Sequence, residues 1–296
     1  MRWIVGLDLL DLSHGAMRFA AWIHRHAPAE RFSGVHVLTP QPLRMSLSDK
    51  TEEEFREWVL GLAKGAVDEL GVDVDVDEVS VIEADTGEEG LTEALTVKGG
   101  SALVIGRKAP ASDDDAVVRL GAVARRLLRQ MPAPIAVVPP DLDEELPPGP
   151  VVLATDLGPS SEAALIFAKL FAETVGRELV VVHAVTVQNT LQVYVAPNAW
   201  DRAHLEAGER GQAELATWLD AHQLSARALV VSGPTGNGIL AACERENACV
   251  VIAGSRRLSL VDRIFSSSVG GSLAAMASIP VIMIPPESPA EASKVS

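Results

Sequence analysis

The chain contains few of the residues on which disulfide-bonded proteins and thiol-bound metal sites depend. Its two cysteines, Cys243 and Cys249, lie in one predicted helix-to-strand segment and are not spaced as C-x-x-C. This arrangement favours two buried free thiols in a cytosolic protein over a disulfide or a redox motif.

Long hydrophobic runs and basic residues are also scarce. No apolar run approaches the roughly 20 residues that a membrane helix needs, and the N-terminal segment lacks the basic head, apolar stretch and cleavage site of a secretion signal. The net charge is −15, with 40 acidic and 25 basic residues. This balance argues against nucleic acid and anionic membranes as main partners. We therefore expect a cytoplasmic location.

The acidic residues are unevenly distributed along the chain. Residues 1–150 contain 26 acidic and 15 basic residues, whereas residues 151–296 contain 14 and 10. A solvated acidic surface accounts for most of this excess in the first half.

The most informative feature present is an internal duplication. The apolar run Ile4–Asp8 is matched by Val152–Asp156, and both the aspartates and the later glycines Gly106 and Gly254 are 148 residues apart. Each half also closes on an apolar strand opened by proline, at Pro134 and Pro280, with an offset of 146. Such self-similarity indicates two copies of one domain.

Strand-like and helix-like segments alternate in each copy. Alternation of this kind predicts an α/β fold: two tandem doubly wound domains, each with a mainly parallel sheet and flanking helices. The acidic, proline-rich segment between the copies is the natural linker. The predicted organisation is domain 1 at 1–140, linker at 141–150, domain 2 at 151–288 and a flexible tail at 289–296.

Several segments of the second copy resemble the universal stress protein family. Their order and spacing, rather than any single motif, carry the resemblance; they are Val152–Asp156, Ser160–Ala164, Val231–Leu240, Val250–Ser255 and the last strand after Pro280. The resemblance implies a five-stranded, Rossmann-like sheet in each copy, with the two copies pairing as an intramolecular pseudo-dimer. A further homodimer is left open. The family divides into members that bind ATP and members that do not.

The binding members carry a glycine, two residues, a second glycine, nine residues and then glycine with serine or threonine. Glycines let backbone N–H groups approach phosphate, and the next helix turns its positive N-terminus toward it. In the second copy Gly254 and Ser255 fit this pattern, but Arg257 occupies the second glycine position and Ser267 the third, before the expected Ser268. Arg257 either grips phosphate with its guanidinium or fills the groove, and the serines either bind an anion or cap a helix.

The first copy departs further from the pattern. Gly106 is present, but Ala109 takes the second glycine position and Gly121 arrives two residues late. The carboxylates of Asp113–Asp115 would repel a triphosphate, unless a metal intervenes or Arg107 and Lys108 pair with them. We expect no nucleotide here, and the role of the acidic loop is open.

Two pairs of polar residues occupy matching places in the copies: the aspartates that end the first strands and the histidines within the second strands. Asp8 and Asp156 either recognise a ribose, as the resemblance implies, or cap the following turn. His36 and His183 lie at no metal-ligand spacing and are predicted to be structural. The segment Gly233–Gly238 lacks the ending of a P-loop, so it is predicted to be a strand-to-helix turn.

The leading hypothesis is a tandem stress-response protein that acts by ligand or protein binding, without catalytic residues or a metal. Its candidate site, the second-copy crevice, consists of Thr155, Asp156, Val185, Gly254, Ser255, Arg257, Ser267 and Ser268, with ATP or another adenine nucleotide as candidate ligand. The loop from Thr186 to Asp201 is either a lid on this crevice or an ordinary surface excursion. The alternatives are a slow nucleotide-hydrolysing enzyme, with Asp262 as the nearby carboxylate, and a purely structural interaction module. The protein partner is not identified.

Overall fold

The computed structural model describes residues 1–9, 13–41, 51–69, 76–108, 116–186, 197–255 and 269–286. Strands and helices alternate along these ranges. The strands are β1 (Arg2–Leu7), β2 (Arg31–Leu38), β3 (Val76–Glu83), β4 (Ala102–Gly106), β5 (Ile135–Val138), β6 (Val151–Thr155), β7 (Leu179–Val185), β8 (Arg227–Ser232), β9 (Val250–Gly254) and β10 (Val281–Ile284). The helices are α1 (His14–His26), α2 (Glu52–Glu69), α3 (Gly87–Val97), α4 (Ala116–Gln130), α5 (Glu162–Thr174), α6 (Pro197–Ala221), α7 (Thr235–Arg245) and α8 (Val269–Met276).

The chain forms two compact units. The first consists of Met1–Leu146 together with Ala274–Met283. Its sheet has the order β3-β2-β1-β4-β5, and these five strands are parallel. β10 adds to β5 in the antiparallel direction, with Ile282 opposite Ala136. The last strand of the second copy thus belongs to the first unit.

The second unit consists of Pro147–Leu273 and Ile284–Ser296. Its four strands are parallel in the order β9-β6-β7-β8. β6 is buried along its whole length, as are Val180–Val182 of β7 and Val250–Ala253 of β9. Because parallel sheets carry helices on both faces, their strands are near-continuous apolar runs, which is the pattern that predicted them.

The α/β class, the tandem arrangement and the mainly parallel sheets are confirmed. Two helices have local features that the hydrophobic pattern does not show. Ser13 makes no side-chain capping hydrogen bond at the start of α1. α4 is interrupted at Gly121, whose φ of 73° and ψ of 174° are non-helical.

The segment predicted as a linker packs closely in the first unit. Leu142 and Leu146 are buried. Arg18 of α1 donates to the Leu142 carbonyl oxygen at 2.7 Å, and Arg25 donates to the Glu144 carbonyl oxygen at 2.8 Å. This segment therefore covers one side of α1.

Both cysteines are free and buried, as predicted. Burial raises the pKa of the Cys243 thiol to about 12 and that of Cys249 to about 11. Both thiols therefore stay protonated at neutral pH, which suits a packing role. In the described ranges there is no helix long and apolar enough to cross a membrane.

Candidate functional site

The first part of the second-copy crevice is the turn after β6. Leu157 has a positive φ of 62°, and its N–H donates to Thr155 Oγ1 at 2.9 Å. Asp156 Oδ1 accepts hydrogen bonds from Gly158 N at 3.0 Å and Ser161 Oγ at 2.8 Å. Thr155 is buried, whereas Asp156 is exposed. The capping interpretation of Asp156 is thus realised, and its side chain still faces solvent.

The second part is the carboxyl end of β7. His183 Nδ1 lies 3.0 Å from the Thr155 carbonyl oxygen, which ties β7 to β6. Val185 ends the strand, half-buried, and Thr186 Oγ1 donates to the Gly233 carbonyl oxygen at 3.3 Å. α6 comes close here, because a Cβ on Gly211 would collide with Val185 Cγ1.

The turn containing Gly233 joins β8 to α7, as predicted. Gly233 has a φ of 112°, which an L side chain rarely adopts. Thr186 Oγ1 also lies 3.3 Å from Thr235 Oγ1 at the start of α7. The segment is therefore a strand-to-helix turn rather than a phosphate loop of the P-loop type.

The third part of the crevice is the end of β9. Ala253 is in register with Ala154, so Gly254 ends β9 beside the residues that end β6. Ser255 N donates to the Ile284 carbonyl oxygen at 2.8 Å. The structure brings Thr155, Asp156, Val185, Gly254 and Ser255 to one edge of the sheet. Arg257, Ser267 and Ser268 lie outside the described residues, as do Asp113–Asp115, Asp262 and residues 187–196 of the predicted lid. The end of that predicted loop, from Pro197, is helical.

The first copy repeats both the turn and the histidine beside it. Leu9 has a φ of 60°, matching Leu157, and His36 Nδ1 lies 2.8 Å from the Leu7 carbonyl oxygen. Burial lowers the pKa of His36, opposed by its hydrogen bond to Leu7 and by the charge of Asp8. Both strand-two histidines are therefore bonded to the backbone of the neighbouring strand, as expected of structural side chains.

The sequence missed the position of Arg107, which follows the retained Gly106. This side chain is 1% exposed, and its Nη1 donates to the carbonyl oxygens of Ala274 at 3.3 Å and Ala275 at 2.5 Å. A guanidinium near the last carbonyls of α8 compensates the negative end of the helix. Position 107 corresponds to Ser255 in the second copy, so the two copies use this position differently.

Comparison with known proteins agrees with the geometry. The sequence model of the universal stress protein family matches residues 1–139 and again residues 149–285. A universal stress protein from Archaeoglobus fulgidus superposes with a TM-score of 0.65 at 17% identity, over 96% of this chain and 98% of its own. A Pseudomonas aeruginosa PAO1 protein of unknown function gives 0.60 at 17% identity, over 96% and 92%. No curated protein matches the chain. At this identity the structures establish the fold alone, whereas the two family matches span most of the sequence: the chain belongs to the universal stress protein family, as a tandem of two copies.

Proposed function

We propose that the protein works by binding, and that the second-copy crevice takes an adenine nucleotide or a related phosphate ligand. The observation that supports this most is the convergence of Asp156, Val185 and Gly254 at the carboxyl ends of β6, β7 and β9. In open α/β sheets, ligands bind outside this edge.

The roles of these residues follow from their chemistry. Asp156 Oδ1 already accepts two hydrogen bonds, but a carboxylate offers about four lone-pair sites, so it can also accept from a ribose hydroxyl. Val185 offers an apolar surface to the nucleoside. Gly254 lacks a side chain, which leaves room for a ligand close to the backbone.

The phosphate end of the proposed ligand lies toward α8. This helix begins at Val269, directly after Ser267 and Ser268. A helix N-terminus favours negative charge, and Arg257 supplies a guanidinium in place of the second glycine of the family pattern.

The pairing of the copies is part of the same proposal. In the first unit the last strand of the second copy, β10, lies antiparallel to the last strand of the first copy, β5. This supports an intramolecular pseudo-dimer in which the first copy is mainly a scaffold and the second copy carries the nucleotide site.

A specific observation favours a second candidate, a structural interaction module without a small ligand. Asp156 Oδ1 holds its own turn through Gly158 and Ser161, which is sufficient reason for an aspartate at this position. The two candidates differ in whether nucleotide addition releases heat.

Calorimetric titration separates them. ATP, ADP and AMP with Mg²⁺ are titrated into the wild type, Arg257→Glu and Lys169→Glu; Lys169 is an exposed residue of α5 and carries the same change of charge. Binding that Arg257→Glu loses and Lys169→Glu keeps supports the nucleotide proposal, and chromatography of the titrated nucleotide reports any hydrolysis. Absence of heat with all three nucleotides favours the interaction module.

A further inference from the structure

The first unit contains a groove at the start of α3. It has a volume of about 570 Å³ and opens beyond the ends of β2 and β3, beside the first turn of α3 and one side of α4. The lining residues that matter here are Thr39, Gln41, Asp85, Glu88, Val123 and Arg126. We call this the α3–α4 groove.

Close packing holds the first turn of α3, which carries Glu88, against its neighbouring elements. A Cβ on Gly87 would lie 2.9 Å from Val123 Cγ2, so the first turn of α3 sits directly against α4. A Cβ on Gly90 would approach Val37 Cγ1 of β2 to 2.5 Å. Thr86 caps the helix by accepting from Glu89 N. Glu88 is therefore held in place by its backbone on two sides.

The Glu88 carboxylate is only half satisfied. The residue is 6% exposed, and its Oε1 accepts from Arg126 Nη1 at 2.9 Å. Its Oε2 is buried and finds no hydrogen-bond partner within the described residues. A buried acceptor without a hydrogen bond lowers the stability of the fold. A ligand that brings a donor to the Glu88 carboxylate would remove this loss.

The charges of the groove select the class of ligand. Asp85 and Glu88 would repel an anion, and Arg126, whose side chain is half exposed, would repel a simple cation. A molecule with both signs avoids both conflicts. Arg126 has five N–H donors, so it can bind a carboxylate while it keeps its bond to Glu88.

We propose that the α3–α4 groove binds a small zwitterion of the amino-acid class. Its ammonium group lies against the carboxylates of Glu88 and Asp85, while its carboxylate is bound by Arg126 and the N-terminus of α3. Thr39 and Gln41 offer hydrogen bonds to the remainder of the molecule.

This groove is particular to the first copy. The buried residues of α7 match those of α3 at an offset of 148. At this offset Gly236 replaces Glu88, and at the offset of 146 found for the last strand Ser272 replaces Arg126. The second copy thus lacks the charged pair, and the zwitterion site is independent of the proposed nucleotide site.

The test uses the full chain and the common L-amino acids as probes. Each is screened singly by thermal shift, and those that raise the melting temperature are titrated by calorimetry. The amide and N-acetyl derivatives of the same amino acid lack the negative and positive charge respectively. We expect at least one amino acid to bind, and both derivatives to bind at least tenfold more weakly.

Matched variants locate the site. Glu88→Gln keeps the shape of the side chain and an acceptor for Arg126, and we expect it to weaken binding at least tenfold. Glu89→Gln, at the exposed neighbour on α3, should bind as the wild type does. If Glu88→Gln fails to fold, Asp85→Asn at the exposed edge of the groove replaces it in the binding test, and we expect it to weaken binding. The proposal is overturned if no amino acid binds, if both derivatives bind as well as the parent, or if Glu88→Gln and Glu89→Gln bind equally.

Discussion

The two copies agree in the turn after their first strand and differ in what surrounds it. Leu9 and Leu157 share a left-handed backbone with φ values of 60° and 62°, and a histidine of the neighbouring strand bonds to the end of each first strand. The position after the fourth-strand glycine differs, since Arg107 is buried and Ser255 is half-buried. The two copies therefore share the turn after the first strand, and they differ at the residue that follows the first glycine of the family's ATP-binding pattern.

The first helices of the copies differ in the same way. α1 is covered by the segment after β5, to which Arg18 and Arg25 donate hydrogen bonds. The positions on α5 that correspond to Arg18 and Trp22 are Ile166 and Leu170, which are 63% and 55% exposed. Matching residues of the two helices thus differ in burial, and substitutions at these positions should change the free energy of unfolding by unequal amounts.

The largest expected effect is at the contact between α1 and the end of β5. A Cβ on Gly15 would overlap the Pro139 carbonyl oxygen, a backbone atom that no side-chain movement can relieve. We expect Gly15→Ala to lower the free energy of unfolding by about 3 kcal/mol or more. The corresponding residue of α5 is already Ala163, and Ala163→Gly should cost only about 1 kcal/mol. Urea unfolding of both variants measures the difference, and equal losses would refute this account of α1.

The next effect concerns the position after the fourth-strand glycine. Arg107→Ser places the residue of the second copy in the first and removes the hydrogen bonds to Ala274 and Ala275. Hydrogen bonds from a charged donor to a buried acceptor suggest a loss of about 2–3 kcal/mol. Ser255→Ala is the matched control, because the hydrogen bond from Ser255 to the Ile284 carbonyl oxygen is donated by the backbone N–H. A thermal and urea stability of Arg107→Ser equal to that of Ser255→Ala would contradict the prediction.

A smaller loss is expected from the covering segment. Leu142 is 4% exposed, so Leu142→Ala should lower the free energy of unfolding by about 2 kcal/mol. Leu170→Ala on α5, at a residue that is 55% exposed, should change it by less than about 0.5 kcal/mol, as exposed positions usually do. Urea unfolding of the two variants side by side tests whether the covering of α1 stabilises the fold.

The sequence predicted what is local and missed what depends on distant contacts. The positions of Asp156 and Gly254 at the ends of strands are predicted correctly, because strand ends are visible in the hydrophobic pattern. Arg107 was not placed, since its acceptors lie 167 and 168 residues away. Glu88 and Arg126 are 38 residues apart on two helices, and neither helix pattern marks them as partners. The predicted linker was recognised by its composition, which does not reveal that Leu142 and Leu146 are buried.

The smallest expected effect is the contribution of His36 to the pH dependence of stability. Burial lowers the pKa of His36 below 6.5, so the unfolded chain takes up a proton more readily than the folded protein. Its contribution to stability is complete above pH 6.5 and is lost as the pH falls through that value toward the lowered pKa. In His36→Gln this proton uptake is absent, so the free energy of unfolding should fall less between pH 7.5 and pH 5.5 than in the wild type. Urea unfolding at the two pH values, with His183→Gln in parallel, measures the slopes. An unchanged slope in His36→Gln would mean that the proton is taken up equally in both states, despite the partial burial of the imidazole.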